Sequence, residues 1–293
     1  GASGSGKSSL LDVIEKSLIH GKPINCEVIS KADDFFQVIS VSQEMPYTSS
    51  LSSIATYSGI FDSIRDEFAK IAKKQAPKIS KSYFSYNSKG GRCEPCKGQG
   101  FIKTSLDFLP DVYSICPDCD GKRYEEAALK YKIGENSIAD VLEMSVNEAF
   151  EFFYKHHRIK NVLKVLQDTN LGYLKLGQRL NTLSGGELQR LKLAVEFLKP
   201  GAGKRLFLLD EPTTGLHYED VKHLVLLFEE LVQNGNTLII AEHNPTIIVN
   251  ADYIIDLGPG GGKHGGNIVA QGNAKAIANE NKSITGNYLN DRM

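Results

Sequence analysis

The sequence predicts an α/β fold with a parallel sheet at its centre, and three observations lead to this prediction. A glycine-rich loop at Gly1 to Ser8 runs directly into an apolar helical pattern. Two apolar runs, one in Arg205 to Pro212 that ends in two carboxylates and one from Thr237 to Ala241, look like buried strands of a parallel sheet. Between these halves lie four cysteines in two close pairs, which indicates an inserted metal module.

Bulk composition is that of an ordinary globular chain. The 293 residues are 41% hydrophobic and 24% charged, with a formal net charge of −1. A basic surface for nucleic acid must therefore be local. No apolar run approaches the roughly 18 residues of a membrane helix, so we expect a cytoplasmic protein without a membrane partner. Five cysteines fit a reducing compartment, and Cys26 is expected to be a small buried apolar residue.

The first loop matches the phosphate-binding pattern G-x-x-x-x-G-K-[ST]. Its backbone N–H groups and the following helix N-terminus suit the phosphates of ATP, with Lys7 on the β- and γ-phosphates and Ser8 on Mg²⁺. A flexible Gly/Ser-rich terminus is the alternative. The strand that normally precedes such a loop is absent, which suggests a piece of a longer protein. The predicted nucleotide contacts are Gly1, Ser3, Gly4, Gly6, Lys7, Ser8 and Ser9.

The ends of the two predicted strands carry candidate catalytic groups. Asp210 and Glu211 stand at the carboxyl end of the first strand, where parallel sheets bind ligands. Asp210 is placed to hold the Mg²⁺ shell and Glu211 to orient or deprotonate the attacking water. His243 follows the second strand and is a candidate sensor of the γ-phosphate, although a lone histidine is more often packed or solvated.

A Leu-Ser-Gly-Gly-Glu segment precedes the helix predicted from Leu188 to Lys199. Ser184 and Glu187 have the spacing of a capping box, so a plain helix start is one interpretation. Gly185 and Gly186 add exposed backbone donors at a helix N-terminus, which suits a nucleotide held mainly by another chain or domain. Ser184, Gly185 and Gly186 are therefore counted among the nucleotide-binding candidates.

The four cysteines are Cys93 and Cys96, then Cys116 and Cys119, with 19 residues between the pairs. Two C-x2-C pairs at this distance predict a tetrahedral Zn²⁺ site with four thiolate ligands. With every ligand position filled by protein, the metal is structural. The alternatives are two disulfides or a redox C-x-x-C motif, and neither pair has a thioredoxin-like pattern around it.

The order of these motifs resembles the ATP-binding cassette (ABC) family: phosphate loop, Gln43, Leu183 to Glu187, Leu208 to Pro212, and Glu242 to Asn244. The resemblance implies an ABC-type P-loop NTPase with a parallel sheet core, a helical signature subdomain and an inserted four-cysteine zinc module. It also implies that Gln43 is a catalytic-site glutamine coupling the metal site to the insertion, and that Thr214 to His217 form the D-loop.

Nearly the whole chain, Gly1 to about Ala278, resembles the C-terminal half of the bacterial UvrA family of excinuclease proteins. That family implies two fused cassettes that dimerise, scan double-stranded DNA for lesions in nucleotide excision repair, and load UvrB. The resemblance implies ATP hydrolysis that is weak without a partner cassette or a homodimer. The segments that carry it are Tyr83 to Gly100, Phe108 to Tyr113, Cys119 to Tyr124, Ser137 to Leu142, Leu171 to Gln178, Asp210 to His217 and Asp256 to Gly261.

One segment departs from that family. After Gln43 the family usually carries a Pro- and Arg-containing stretch, whereas this chain reads Glu44 to Leu51 without arginine. Fewer cations weaken salt-dependent phosphate attraction. A UvrA-like drug-resistance ATPase that acts on DNA with bound intercalating drugs is therefore the alternative function. A transporter cassette is a third interpretation, which the zinc insertion disfavours.

Cations concentrate in the insertion and are the candidate DNA contacts. Lys89, Arg92, Lys97 and Lys103 flank the cysteine pairs and are predicted to contact phosphates. The lysines from Lys70 to Lys78 fit a solvated helix face instead. Recognition of varied lesions needs readout of DNA shape rather than of base sequence. The aromatic Phe108 and Tyr113 fit either DNA contact or a small core.

The predicted organisation has six parts. Residues 1–41 form the first part of the ATP-binding core, 42–86 a helical connector, 87–124 the zinc-binding DNA-contact module, 125–182 the helical signature subdomain, 183–279 the second part of the core, and 280–293 a tail. The glycine-rich segment 258–266 is predicted to be a hairpin connection before a strand at 267–271. The tail after Asn279 is expected to be polar and frayed.

Overall fold

The computed structural model describes residues 1–27, 35–41, 51–106, 109–199 and 204–290. Within these ranges no helix is long and apolar enough to cross a membrane. The helices are α1 (Lys7–His20), α2 (Ile54–Tyr57), α3 (Ile60–Gln75), α4 (Glu126–Leu129), α5 (Ile138–Glu143), α6 (Val146–Phe152), α7 (His157–Asp168), α8 (Gly185–Leu198), α9 (Tyr218–Gln233), α10 (Pro245–Val249), α11 (Ala274–Ala278) and α12 (Ile284–Asn290). The strands are β1 (Gln37–Val41), β2 (Phe101–Leu106), β3 (Leu109–Ile115), β4 (Lys132–Ile133), β5 (Asn136–Ser137), β6 (Arg205–Asp210), β7 (Thr237–Ala241), β8 (Ile254–Gly258) and β9 (Asn267–Gly272).

A parallel sheet with the strand order β1-β6-β7 forms the centre of the α/β part. Its middle strand is apolar on both faces because helices cover both faces. Leu206 and Leu208 pack in one cluster with Leu11 of α1. Phe207 and Leu209 belong to a second cluster with residues of α9. The continuous apolar run of β6 therefore follows from its position, as the sequence predicted.

A separate apolar core joins the helices before and after the cysteines. Phe68 of α3, Phe84 and Tyr86 pack in the same buried cluster as Tyr124 and Leu163 of α7. Phe61 and Tyr86 have ring centroids 5.0 Å apart. The ranges 42–86 and 125–182, which the sequence separates by the cysteine segment, thus share one hydrophobic core among their described residues.

Two antiparallel hairpins extend this framework. Strands β2 and β3 pair within the cysteine insertion, with Phe101 opposite Ile115. Strands β8 and β9 pair near the C-terminus, and residues 259–266 connect them. The predicted hairpin connection at 258–266 is confirmed, and β9 begins at Asn267 as expected.

Two predicted chain segments, the start of α8 and the C-terminal tail, differ from the structure. Helix α8 begins at Gly185 rather than at Leu188, because Ser184 caps it. The tail is not frayed throughout: α12 buries Leu289 in a small cluster with Ile277 of α11. The buried Asp256 carboxylate also accepts hydrogen bonds from Ser283 Oγ at 2.6 Å and Thr285 Oγ1 at 2.7 Å, which ties the tail to β8.

Cys26 is exposed rather than buried, with its sulfur 3.6 Å from Ser17 Oγ. After α1 ends at His20 with Gly21 in the left-handed conformation, the chain folds back on the helix, and Ile24 N donates to Ser17 Oγ at 3.0 Å. Cys26 thus lies in an exposed turn beside α1, where an apolar side chain type does not ensure burial.

Candidate functional site

The phosphate loop ends in a helix start that has backbone donors but no side-chain cap. Gly4 and Gly6 have φ values of 73° and 100°, which the tight turn requires. No side chain caps α1 at Gly6, so the first-turn N–H groups are left for an anion. The Lys7 ammonium donates to the carbonyls of Gly1 at 3.2 Å and Ala2 at 2.9 Å, which places it over the loop. Ser3, Ser8 and Ser9 are exposed.

The acidic pair lies at the carboxyl end of β6. Asp210 pairs in register with Ala241 of β7, and its Oδ1 atom is buried without a hydrogen-bond partner in the described part of the chain. A buried carboxylate oxygen without a donor is what a Mg²⁺ shell would satisfy. Glu211 adopts φ of 46°, and its N–H donates to the Ala241 carbonyl at 2.9 Å.

The structure brings the predicted histidine to the acidic pair. His243 Nδ1 lies 3.7 Å from a carboxylate oxygen of Glu211. Both side chains are accessible, with 67% of His243 and 38% of Glu211 exposed, so a phosphate and a water can reach them. Asp210, the predicted Mg²⁺ ligand, thus lies beside Glu211 and His243, two of the predicted catalytic residues, at the carboxyl ends of β6 and β7.

Glu242 organises this edge, and sequence reasoning gave it no role. Its buried carboxylate accepts from Thr213 N at 2.9 Å and from the Thr213 hydroxyl. The other oxygen accepts from His243 N at 2.8 Å and Asn244 N at 2.9 Å. The carboxylate therefore joins the segment after β6 to the segment after β7. Its position at a strand end, directly before a candidate catalytic histidine, is the signal that was available.

The signature segment, Leu183 to Glu187, contains the capping box that the plain helix-start interpretation predicted. Ser184 Oγ accepts from Glu187 N at 3.3 Å, and Glu187 accepts from Ser184 N at 2.7 Å. Burial would raise the pKa of the Glu187 carboxyl, but hydrogen bonds from Tyr173 and Ser184 outweigh it and lower that pKa. Gly186 approaches the D-loop so closely that a Cβ there would lie 2.4 Å from the Thr214 carbonyl oxygen. A glycine is therefore required for this contact.

Gln189 is a second residue that sequence reasoning missed. It is 1% exposed, and its Nε2 donates to the carbonyls of Asp210 at 2.6 Å and Val41 at 3.3 Å. These carbonyls lie at the carboxyl ends of β6 and β1. Gln189 therefore couples the signature helix directly to the strand that carries the acidic pair.

The four cysteine side chains converge in one buried cluster. All four sulfurs lie within 4.8 Å of one another, with Cys93 and Cys116 at 3.9 Å and Cys96 and Cys119 at 3.7 Å. Tetrahedral Zn–S bonds of about 2.3 Å place sulfurs about 3.8 Å apart. The Gly100 N–H donates to Cys96 Sγ at 3.3 Å, the kind of bond that stabilises a thiolate. None of the four is in a disulfide, so the residues fit Zn²⁺.

The candidate DNA cations flank this cluster. Lys89, Lys97 and Lys103 are exposed, and Lys97 and Lys103 line a cavity of about 140 Å³ beside Phe101. Arg92 is half-buried, and its guanidinium makes two hydrogen bonds to Glu94, at 3.0 and 3.1 Å. Its charge is thus already paired within the chain. Tyr113 is 59% exposed and packs edge to face with Phe101.

Comparison with known proteins shows a likeness to UvrA proteins. The chain is 48% identical over 298 aligned residues to UvrABC system protein A of Staphylococcus aureus strain COL, covering 99% of this chain. The chain is UvrA-like. UvrABC system protein A of Mycoplasmopsis pulmonis is 47% identical over 99% of the chain. The crystal structure of UvrA2 from Deinococcus radiodurans superposes with a TM-score of 0.89 at 39% identity, again over 99% of this chain.

Coverage of these UvrA relatives is partial. The chain spans 31% and 32% of the two curated UvrA proteins and 36% of the UvrA2 chain. Residues 116–250 also match a family profile described as "AAA domain, putative AbiEii toxin, Type IV TA system". Together with the parallel sheet and the cysteine cluster, the likeness confirms an ABC-type α/β fold with a four-cysteine insertion.

Part of the predicted site lies outside the residues that the structure describes. Gln43 and residues 44–50, where the sequence departs from the family's arginine-containing stretch, lie outside the described ranges, as does Phe108. The metal ligands and the Asp210, Glu211 and His243 group are each brought together. No described contact joins Ser184, Gly185 or Gly186 to the phosphate loop of the same chain.

Proposed function

We propose that this chain is the second ATP-hydrolysing cassette of a UvrA-type protein that recognises DNA damage in nucleotide excision repair. The supporting observation is the 48% identity to UvrABC system protein A, which runs through the cassette motifs and the cysteine insertion together. A cassette resemblance alone would leave the substrate open, because one fold hosts many functions.

The nucleotide site is assigned to the phosphate loop and to the end of β6. Backbone N–H groups of Gly4, Gly6, Lys7, Ser8 and Ser9, with flanking Gly1 and Ser3, would hold the ATP phosphates. Ser8 and Asp210 would hold Mg²⁺, and the unpartnered buried oxygen of Asp210 fits that role. When bound, Mg²⁺ neutralises the charge that develops on the phosphates.

Hydrolysis is assigned to the accessible acid–histidine pair. Glu211 would orient and deprotonate the attacking water, and His243, 3.7 Å away, would hold the γ-phosphate side of the site. Gln43 would complete the group, in line with the family resemblance. Glu242 positions His243 by accepting its backbone N–H.

The signature segment is assigned to binding of the nucleotide that a partner cassette holds. Ser184, Gly185 and Gly186 present donors at the start of α8, and a second cassette or a second copy of the chain would bring its phosphate loop to them. ATP turnover per chain should therefore rise with chain concentration. Rapid turnover that stays constant through a dilution series into the monomer range would contradict this assignment.

The zinc-binding module, residues 87–124, is assigned to DNA binding. One Zn²⁺ on the four thiolates would hold the β2–β3 hairpin, with Lys89, Lys97 and Lys103 contacting phosphates and Arg92 joining them if its pair with Glu94 opens. Such contacts carry no base code, so DNA shape and deformability would be recognised. The proposal includes a cytoplasmic location and UvrB as a further partner.

The test is DNA binding to an undamaged duplex and to one with a bulky adduct, with and without Mg–ATP, across a salt series. We expect preference for the adduct, with an affinity that falls steeply as salt rises. The double variant Lys97→Ala with Lys103→Ala should weaken DNA binding. The matched control, Lys73→Ala with Lys74→Ala in α3, should leave DNA binding unchanged. Weak binding that ignores both adduct and salt would overturn the proposal.

The alternative is a UvrA-like drug-resistance ATPase that acts on DNA with bound intercalating drugs. The observation in its favour is the arginine-free segment from Glu44 to Leu51. A duplex saturated with an intercalator separates the two functions when added as a third DNA in the same assay. Tighter binding to that duplex than to the adduct would favour the alternative.

A further inference from the structure

The glycine-rich turn between β8 and β9 is bonded to the phosphate loop. The Gly262 N–H donates to the Gly4 carbonyl at 3.0 Å, and the Gly266 N–H donates to the Ser5 carbonyl at 3.0 Å. The turn is itself held by a bond from Gly265 N to the Gly262 carbonyl at 3.0 Å. A preformed turn therefore contacts two successive carbonyls of the loop.

These two bonds orient the peptide groups of the loop. A trans peptide unit is planar, and its C=O and N–H point in opposite directions. Because the Ser5 carbonyl points to Gly266, the Gly6 N–H points to the other side of the loop, next to the first turn of α1. The Gly4 carbonyl is likewise directed at the turn. Two oxygens that would repel phosphate are thus paired away from the anion-binding donors.

Close approach is why glycines occupy the turn. A Cβ at Gly261 would lie 2.7 Å from the Ser3 carbonyl oxygen, and one at Gly265 would lie 3.0 Å from Ser5 Cα. Their φ values are −100° and −95°, which any residue can adopt. At these two positions glycine is therefore needed for contact with the phosphate loop rather than for a special backbone conformation.

We infer that residues 261–266 are a positioning element of the nucleotide site, which holds the phosphate loop in its anion-binding conformation. This inference rests on the proposed function as an ATP site and adds a segment more than 250 residues away in sequence. It acts through the loop and touches no reacting atom. The expected consequence is control of nucleotide affinity rather than of the chemical step.

The test compares three single substitutions in the same turn. The methyl groups added by Gly261→Ala and Gly265→Ala would collide with the backbone of the phosphate loop. A Cβ at Gly260 makes only an ordinary 3.5 Å contact with His264 Cβ. We expect Mg–ADP and Mg–ATP to bind about tenfold more weakly to the first two variants, because displaced donors lose alignment with the phosphates. Gly260→Ala should bind like the unsubstituted chain. Maximal turnover at saturating ATP should change little.

A purely structural role predicts a different result. It would lower the unfolding temperature without nucleotide while leaving nucleotide affinity intact, and that result would overturn the inference. If the unsubstituted chain binds no nucleotide, the proposed function fails instead. If the two variants do not fold, hydrogen exchange on the unsubstituted chain decides: Mg–ADP should protect the 261–266 amides together with those of the phosphate loop. No change at 261–266 would refute the inference.

Discussion

Glu211 combines an accessible carboxylate with a strained backbone. Its φ of 46° is in the left-handed region, which costs a non-glycine residue about 1–3 kcal/mol, and the bond from its N–H to the Ala241 carbonyl helps to hold it there. We expect Glu211→Gln to reduce ATP hydrolysis by about 10²- to 10⁴-fold, since the proposed base is lost. Mg–ATP binding should persist. Glu229→Gln, on the exposed side of α9, is the matched control for steady-state turnover and nucleotide titration.

Near-normal turnover by Glu211→Gln would contradict this expectation and would show that another group acts as the base. His243 would then be the next residue to replace, because it is the titratable side chain paired with Glu211.

Glu242 shows how one buried carboxylate stabilises a site without entering the reaction. Removing it leaves the Thr213, His243 and Asn244 donors without their acceptor. We expect Glu242→Ala to lower the free energy of unfolding by about 2–4 kcal/mol and to lower turnover as well. Denaturant unfolding and ATPase rates measure the two effects. Unchanged stability with lost turnover would show that the carboxylate acts in catalysis rather than in positioning.

At the scale of elements, two arginines dock the cysteine insertion on the segment that leads into α8. Arg179 donates to the Gln99 carbonyl at 2.7 Å, and its guanidinium lies 3.5 Å from the Phe101 ring centre. Arg123 donates to the Gly177 carbonyl at 2.8 Å. Burial, together with the charge of Arg123, lowers the pKa of Arg179 to about 10. Movement of the insertion would thus be transmitted through these two arginine contacts to residues that lie shortly before the signature segment.

We expect Arg179→Ala to loosen the insertion while the parallel sheet stays intact. Loss of a charged hydrogen bond and of the ring contact should reduce local stability by about 2 kcal/mol. Hydrogen exchange in residues 93–124 measures this. Lys175→Ala is the control in the same segment, because it removes only an exposed ion pair with Glu143, worth about 0–1 kcal/mol. Equal exchange in both variants would contradict the docking role.

At the scale of the whole molecule, the cysteine cluster and the nucleotide site belong to different cores. The cysteines form a cluster of their own, whereas the sheet is covered by the apolar clusters on its two faces. We expect one Zn²⁺ per chain. Its removal by chelation, or by Cys119→Ser, should unfold the β2–β3 region but leave Mg–ATP affinity within about twofold, because the sheet keeps its packing.

Metal content, hydrogen exchange and nucleotide titration on the same sample measure this. Cys26→Ser is the matched cysteine control, since Cys26 is exposed and outside the cluster. Loss of nucleotide binding in step with zinc would show that the two sites depend on each other.

The amino-acid sequence by itself determined the features that short-range spacing encodes. The cysteine pairs, the phosphate loop, the signature segment and the acidic strand end are each readable within a few residues. The structure confirmed the convergence of the four cysteines and the parallel sheet.

Only the tertiary structure decided which distant groups complete these motifs. Gln189 reaches the Val41 carbonyl, Arg179 reaches Gln99, and Gly262 reaches Gly4. These contacts end on backbone carbonyls, which carry no side-chain identity, so no residue pattern marks the partner. Their formation depends on how the sheet edge, the helices and the hairpins are brought together in space, and a local sequence period does not encode that arrangement.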